Sequence, residues 1–180
     1  MKHMYEDPKF IIILRNPTER LYSDYIFLNH GDSPQSFHKD VLQAIQIEED
    51  CMRNNSLWWC LYSLDLCNQL PTRIFIGYYS VFMKEWLNVF SRKHFLILRT
   101  EDYNSDMEGT LREVYDYLKL DYTEDFLNKI ARIPHMHVTT TKKKAGPMLN
   151  KTRILLDNLY RPYLNELADL LQDKKFLWLT

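Results

Sequence analysis

The order of apolar and polar positions predicts a chain in which strands and helices follow one another. Phe10–Leu14 is a run of five apolar residues, three of them isoleucines, and Arg15 follows it directly. Because no position in the run is polar, the pattern predicts a buried parallel strand that is covered on both faces. Asn16 suits a helix N-cap and Pro17 a first helical turn, so the sequence predicts a helix directly after the strand.

The order of strand, charged turn and helix occurs a second time. Phe95–Leu98 is another short apolar run, and the turn after it contains Glu101 and Asp102. Ser105 opens a capping-box pattern, which predicts a helix through Leu118. This alternation predicts an α/β fold with a parallel sheet. The two carboxylates could act in catalysis, but carboxylates in such turns more commonly pair with arginines or cap helices.

Helical spacing covers much of the remaining chain. It predicts helices over 37–51, Ser56 to Asn68, Tyr79–Phe90 and Lys151 through Leu171, the last with a kink or break at Pro162. In the third of these helices we expect Phe82, Trp86 and Val89 to face inward. The segment Arg73–Ile76 is typical of a short strand or a strand-like linker.

Composition and charge limit the classes of function. The 180 residues are 46% hydrophobic, enough for one sizeable core, and we expect residues 1–180 to form a single domain. The net charge of −1 argues against a nucleic-acid binder, so an anionic partner would be held by a local patch. No stretch approaches the length of a membrane span, and the first residues lack the apolar core of a signal peptide. We therefore expect no membrane contact from this segment.

The cysteines Cys51, Cys60 and Cys67 do not have the spacing of a metal-ligand set. On a single helix, Cys60 and Cys67 would be separated by about 10 Å of rise, which is too far for a disulfide. The sequence therefore predicts buried free thiols. Asn54 and Asn150 each open an Asn-x-Ser/Thr acceptor pattern for glycosylation, which fits a secretory compartment.

Arg15 and Ser23 are candidates for binding an anion. Ligands of parallel α/β sheets bind at the carboxyl ends of the strands, where helix N-termini also favour anions. A guanidinium at that point can hold a phosphate with two parallel hydrogen bonds. Ser23 lies seven residues after Asn16, on nearly the same helix face and about 10 Å further along. In the alternative interpretation, Arg15 pairs with a carboxylate and Ser23 is an ordinary exposed serine.

A second candidate is the basic segment Thr139–Thr152. Three adjacent lysines are followed by Ala145 and Gly146, so the pattern predicts an irregular, strongly positive loop in which the glycine lets the backbone approach a ligand. The alternative is a solvated basic loop without a function, which is common for charge runs.

Together these segments resemble the Golgi carbohydrate sulfotransferases that use 3′-phosphoadenosine 5′-phosphosulfate (PAPS). The stretch RNPTERLYSDY is similar to the 3′-phosphate motif of that family, whose arginine and serine correspond to Arg15 and Ser23. The stretch TTTKKKAGPML resembles its C-terminal cofactor loop, which implies cofactor contacts from Lys142, Lys143, Lys144, Ala145 and Gly146. The stretch IGYYSVFMKEWLNVFSRKHFLILRTEDY is most similar to the branch that 6-O-sulfates N-acetylgalactosamine 4-sulfate in chondroitin.

The resemblance implies a P-loop NTPase-like three-layer α/β fold with a parallel central sheet. In that family a first strand and a loop rich in Lys, Gly and Ser/Thr hold the 5′-phosphosulfate. None of the four glycines here lies in such a loop. We therefore expect the chain to lack that strand and loop and to be the C-terminal portion of the catalytic domain. The catalytic base is left unassigned, and His30, His135 and His137 are expected to be structural.

The function that the resemblance implies is sulfuryl transfer from PAPS, without a metal, to a glycosaminoglycan hydroxyl. The implied acceptor is the 6-O position of N-acetylgalactosamine 4-sulfate in chondroitin or dermatan sulfate. The implied location is the Golgi lumen, as part of a type II membrane glycoprotein. Basic residues available for a sulfated acceptor are Arg20, Arg73 and Lys84, with Arg92 and Lys93.

Other classes of function stay open at this point. The chain could be a non-catalytic relative that binds glycosaminoglycan or nucleotide, and this chain alone could be inactive. It could also be a heparan sulfate sulfotransferase. A small kinase of the P-loop type is disfavoured, because the sequence contains no Gly-x-x-x-x-Gly-Lys-[Ser/Thr] motif.

Overall fold

The computed structural model describes residues 6–28, 30–133 and 145–178. Helices dominate these residues, and two strands are present among them. In chain order the elements are β1 (Phe10–Leu14), α1 (Pro17–Phe27), α2 (Pro34–Asn54), α3 (Leu57–Tyr62), α4 (Leu64–Gln69), a 3₁₀ helix (Ile74–Gly77), α5 (Tyr79–Val89), a 3₁₀ helix (Arg92–His94), β2 (Phe95–Arg99), α6 (Thr100–Ser105), α7 (Met107–Leu118), α8 (Glu124–Ala131), α9 (Asn150–Leu171) and a 3₁₀ helix (Lys174–Leu177).

The chain folds into two compact units. The first contains the described residues within Met1–Arg15 and Phe82–Val138, and the second those within Asn16–Val81 and Thr139–Thr180. The single domain expected over residues 1–180 stays a prediction.

The first unit contains a parallel pair of strands. β1 and β2 pair in register from Phe10 opposite Phe95 to Leu14 opposite Arg99, which confirms the predicted parallel sheet. The β2 side chains from Phe95 to Leu98 are buried, as a strand packed on both faces requires. On β1, however, Ile11 is 38% exposed and Ile13 56% exposed. Because alternate side chains point to opposite faces, one face of β1 is open among the described residues, and its predicted cover is wrong.

Aromatic packing ties the start of the sheet to α5. The Phe10 ring contacts the Phe95 ring at 5.1 Å and the Trp86 ring at 5.3 Å between centroids. The prediction that Trp86 and Val89 face inward is nevertheless wrong, since they are 37% and 45% exposed. Val81 and Met83 are buried on this helix instead.

The helix predicted from Ser105 begins one position later than its cap pattern indicates. Asp106 is the N-cap of α7 and accepts a hydrogen bond from the Gly109 backbone at 2.9 Å. Ser105 is the last residue of α6, and its hydroxyl donates to the Asp102 carbonyl at 3.0 Å.

In the second unit, α1 begins where the sequence predicts. Asn16 Oδ1 accepts hydrogen bonds from the backbone of Thr18 at 3.0 Å and of Glu19 at 3.2 Å, and Pro17 occupies the first turn. These bonds satisfy amide groups that have no partner within the helix. Tyr25 is buried on the inner face of α1 and packs against Phe37 of α2 at 5.0 Å.

Two predictions for the second unit are wrong. The single helix expected from Ser56 is divided at Ser63, whose hydroxyl caps α4 by accepting from the Leu66 backbone at 3.3 Å. The segment Arg73–Ile76, predicted as a short strand or a strand-like linker, instead enters a 3₁₀ helix, Ile74–Gly77. At Pro162 a kink or a break was predicted; the break is absent, since α9 is continuous from Asn150 to Leu171, and the kink stays a prediction.

A disulfide joins Cys51 at the end of α2 to Cys60 in α3, with 6.1 Å between their Cα atoms. The prediction of buried free thiols is therefore wrong for these two residues, whereas Cys67 is free but only half-buried. Helical spacing excludes a bond between Cys60 and Cys67 but does not bear on Cys51, which lies at the end of α2 and meets Cys60 of α3 after the bend at Asn55. No helix in the described part of the chain is both long enough and apolar enough to cross a membrane.

Candidate functional site

Arg15 lies at the carboxyl end of β1 in the first unit, where the sequence analysis expects an anion site. The side chain is half-buried. The Thr100 hydroxyl donates to the Leu14 carbonyl at 3.1 Å and so fixes the end of the strand directly before Arg15. This position suits a guanidinium that must hold an anion at the edge of the sheet.

Glu101 and Asp102, which the sequence pattern placed in a turn, lie in helix α6, and Asp102 pairs with Arg99 at the end of β2. Arg99 Nε donates to Asp102 Oδ2 at 2.9 Å, and the Arg99 Nη2 group pairs with the other oxygen of the same carboxylate. A two-point pair of this kind favours a structural role for Asp102.

Ser23 lies on α1 in the second unit and is half-buried. Within the described residues, no hydrogen bond involves its hydroxyl. A serine hydroxyl can both donate and accept, so it can donate to a phosphate oxygen.

Gly146, in the basic segment Thr139–Thr152, contacts α1, the helix that contains Ser23. The Tyr22 hydroxyl donates to the Gly146 carbonyl at 2.9 Å, across 124 positions of sequence. Tyr22 is 2% exposed, and burial raises the pKa of its phenol, which therefore stays protonated and able to donate. The structure thus brings Gly146 to the residue that precedes Ser23.

Gly146 has a backbone conformation that favours glycine. Its φ is +81°, in the left-handed region, and a Cβ there would meet no atom within 4 Å. The constraint at Gly146 is therefore backbone strain and not lack of space. The predicted cofactor residues Lys142, Lys143 and Lys144 lie outside the described residues, as do His135 and His137.

The arginines proposed for acceptor binding are held in an internal network. Arg73 Nε donates to Asp24 Oδ2 at 2.9 Å, and Arg20 Nη1 lies 3.4 Å from the same oxygen. Arg20 Nη2 also donates to the Arg73 carbonyl at 3.0 Å. These contacts favour a structural role for both arginines. Lys84 is exposed and belongs to the first unit.

The second unit contains a polar cavity of about 310 Å³ that the sequence pattern did not indicate. α1 and α9 contribute most of its lining, which consists of Asn16, Thr18, Arg153, Asp157, Tyr160, Arg161, Leu164, Asn165, Leu177 and Trp178. The signal that could have found it is the repeat of polar residues at every fourth position of α9, which places them along one side of a helix.

No group of three or more His, Cys, Asp or Glu side chains in the described part of the chain is arranged to hold a metal ion. His30 stacks against Tyr25 with 6.1 Å between ring centroids.

The sequence matches the family described as "Sulfotransferase domain" over residues 2–164. It is 37% identical over 177 residues to carbohydrate sulfotransferase 15 of Mus musculus. The aligned residues are 97% of this chain and 32% of the Mus musculus protein. The protein of the same name from Homo sapiens is 37% identical over 96% of this chain and 31% of its own length. The chain therefore spans about a third of the length of these relatives.

Two further matches differ in the share that they cover. Carbohydrate sulfotransferase 15 of Nototodarus sloanii is 30% identical over 73% of this chain and 84% of its own length. The crystal structure of a sulfotransferase from Alicyclobacillus acidocaldarius superposes with a TM-score of 0.58 and 22% identity, over 95% of this chain and 57% of that one. The structural match supports the predicted α/β fold.

Proposed function

Because the chain belongs to the sulfotransferase family, as its sequence resemblance predicts, we propose that it serves sulfuryl transfer from PAPS to a sugar hydroxyl of a glycosaminoglycan. The proposed acceptor position is the 6-O of N-acetylgalactosamine 4-sulfate in chondroitin or dermatan sulfate. The chain's similarity to proteins named carbohydrate sulfotransferase 15 supports a carbohydrate acceptor.

We assign Arg15, Ser23 and Gly146 to the 3′-phosphate end of the donor, as the sequence resemblance implies. Arg15 would bind the phosphate through two parallel hydrogen bonds, and the Ser23 hydroxyl would donate to another oxygen of the phosphate. Gly146 would place backbone against the nucleotide, with positive potential from Lys142, Lys143 and Lys144. The observation that carries this proposal is the hydrogen bond from Tyr22 to Gly146, because it joins the loop to the helix of Ser23.

These residues would bind and position the donor. Such roles determine which donor binds, and how tightly, more than they determine the rate of the chemical step. The donor supplies the sulfuryl group when bound. Holding the acceptor hydroxyl and the donor in line would contribute much of the rate enhancement, because orientation replaces an unfavourable encounter in solution.

The proposed location is the Golgi lumen, as part of a type II membrane glycoprotein. The disulfide between Cys51 and Cys60 supports an oxidising compartment, since disulfides persist there and are rare in the cytosol. The acceptor patterns for glycosylation at Asn54 and Asn150 agree with that location.

The test is calorimetric titration of the 180-residue chain with adenosine 3′,5′-bisphosphate, with adenosine 5′-phosphate as the ligand control. We expect Arg15→Ala to weaken binding of the bisphosphate by roughly tenfold or more, because a charge-assisted pair contributes about 1.5 to 3 kcal/mol. The matched control is Arg132→Ala, which removes an exposed arginine of the first unit and is expected to bind like the parent.

Equal affinity of Arg15→Ala and the parent would show that Arg15 does not bind the 3′-phosphate. A folded parent that binds both nucleotides equally would contradict the whole 3′-phosphate assignment. Sulfuryl transfer is then assayed with chondroitin 4-sulfate and with heparan sulfate as acceptors. Transfer to heparan sulfate alone would contradict the proposed acceptor.

A further inference from the structure

The polar cavity of the second unit lies beside the start of α1, and most of its lining residues belong to α9. α9 places Arg153, Asp157, Arg161 and Asn165 along it at intervals of four residues. Residues spaced in this way follow one side of a helix, and these four extend over about 18 Å of its axis. The cavity therefore offers a row of alternating donors and acceptors.

Two of these four side chains already have partners. Arg153 Nη2 pairs with Glu19 Oε1 at 2.5 Å, and Asp157 Oδ1 accepts from the Thr18 hydroxyl at 2.6 Å. The pairs fix both groups in place. The second oxygen of Asp157 has no hydrogen-bond donor among the described residues.

Arg161 and Asn165 are the exposed members of the row. Neither forms an ion pair or a side-chain hydrogen bond with another described residue. An arginine presents its donors in a fixed planar fork that suits a carboxylate or a sulfate ester. Arg161 is thus the side chain of the cavity that can bind a carboxylate or a sulfate ester through its guanidinium group.

Apolar side chains complete the lining. Leu164, Leu177 and Trp178 contribute carbon surface beside the polar row. A sugar ring presents the same combination, an apolar face with hydroxyl groups around its edge. The volume of about 310 Å³ lies at the lower end of the range of small-molecule pockets and suits one sugar unit.

We propose that this cavity binds one acidic sugar unit of the glycosaminoglycan acceptor. Arg161 binds the acidic group of that unit, and Asp157 accepts a hydrogen bond from one of its hydroxyls. Arg153 is already paired with Glu19, so among the described residues Arg161 is the arginine of the lining that has no carboxylate partner, which suits one acidic group on the bound sugar. The inference rests on the proposed function, since it takes its acceptor from there.

The experiment measures binding of a chondroitin 4-sulfate hexasaccharide to the 180-residue chain by calorimetry. We expect Arg161→Gln to weaken that binding about tenfold and to leave binding of adenosine 3′,5′-bisphosphate unchanged. Lys174→Gln is the matched control, because it removes one positive charge from another exposed side chain outside the cavity lining. It is expected to change neither affinity.

Chemically altered hexasaccharides identify the acidic group. If Arg161 binds the sulfate, Arg161→Gln and the parent will bind the desulfated hexasaccharide with equal affinity. If Arg161 binds the uronate, they will bind the carboxyl-reduced hexasaccharide with equal affinity. Equal hexasaccharide affinity of the variant and the parent would overturn the inference, as would a parent that does not bind the hexasaccharide. Loss of bisphosphate binding in Arg161→Gln would also overturn it. Failure of the proposed donor site would be seen separately, as equal affinity of Arg15→Ala and the parent for adenosine 3′,5′-bisphosphate.

Discussion

Glu48 is a buried carboxyl group of the second unit, and among the described residues its hydrogen-bond donor is Tyr78. Its Oε2 accepts from the Tyr78 hydroxyl at 2.5 Å, and 5% of the residue is exposed. Burial raises the pKa of Glu48 to about 7, although the bond from Tyr78 acts in the opposite direction. Burial and the Glu48 charge also raise the pKa of Tyr78, so the phenol stays a donor.

This shift makes stability depend on pH. The pKa of Glu48 is about 7 in the folded chain against 4.5 for an ordinary glutamate, so unfolding releases a proton between these values. The free energy of unfolding therefore decreases as pH rises through this window, by on the order of 3 kcal/mol in total. We expect Glu48→Gln to remove this decrease, as shown by urea unfolding at pH 5 and pH 8. Exposed Glu49→Gln is the control, and an unchanged pH dependence in Glu48→Gln would refute the assignment.

At the scale of elements, the disulfide fastens the end of α2 to α3. It closes a short loop, with a sequence separation of 9, and cross-linking such a loop lowers the entropy of the unfolded chain. We expect the double variant Cys51→Ser, Cys60→Ser to lose about 3 kcal/mol of unfolding free energy.

Urea unfolding measures this loss, with Cys67→Ser as a control that leaves the bond intact. Thiol titration of the denatured, unreduced parent is expected to find one reactive cysteine. Three reactive cysteines would exclude the disulfide.

Elements with strong local signals could be predicted from the sequence. β1 and α1 have an uninterrupted apolar run and an Asn-Pro cap, and both form where these indicate. The division at Ser63 could not be predicted from periodicity, because a serine in a helical pattern can be either an interior residue or a cap. Pro162 stays within α9, where Tyr160 and Leu164 are buried on either side of it, since tertiary packing can outweigh helix propensity.

At the scale of the whole molecule, the sequence alone suggests a candidate site only where its residues are contiguous. Arg15 and Ser23 belong to one short segment, so their spacing alone suggests a common ligand. The bond between Tyr22 and Gly146 joins positions 124 apart, and no local pattern contains that information. The same holds for Thr18 and Asp157, which are 139 positions apart.

The pairing of β1 with β2 also bears on how the chain is made. Phe10 pairs with Phe95, so the partners lie 85 positions apart in the sequence. At a synthesis rate of about 5 to 20 residues per second, a ribosome takes roughly 4 to 17 s to reach β2 after β1. During that interval β1 has no partner strand, so its unpaired backbone groups can form hydrogen bonds with strands of other chains. A nascent chain of this sequence would therefore benefit from a chaperone until β2 emerges.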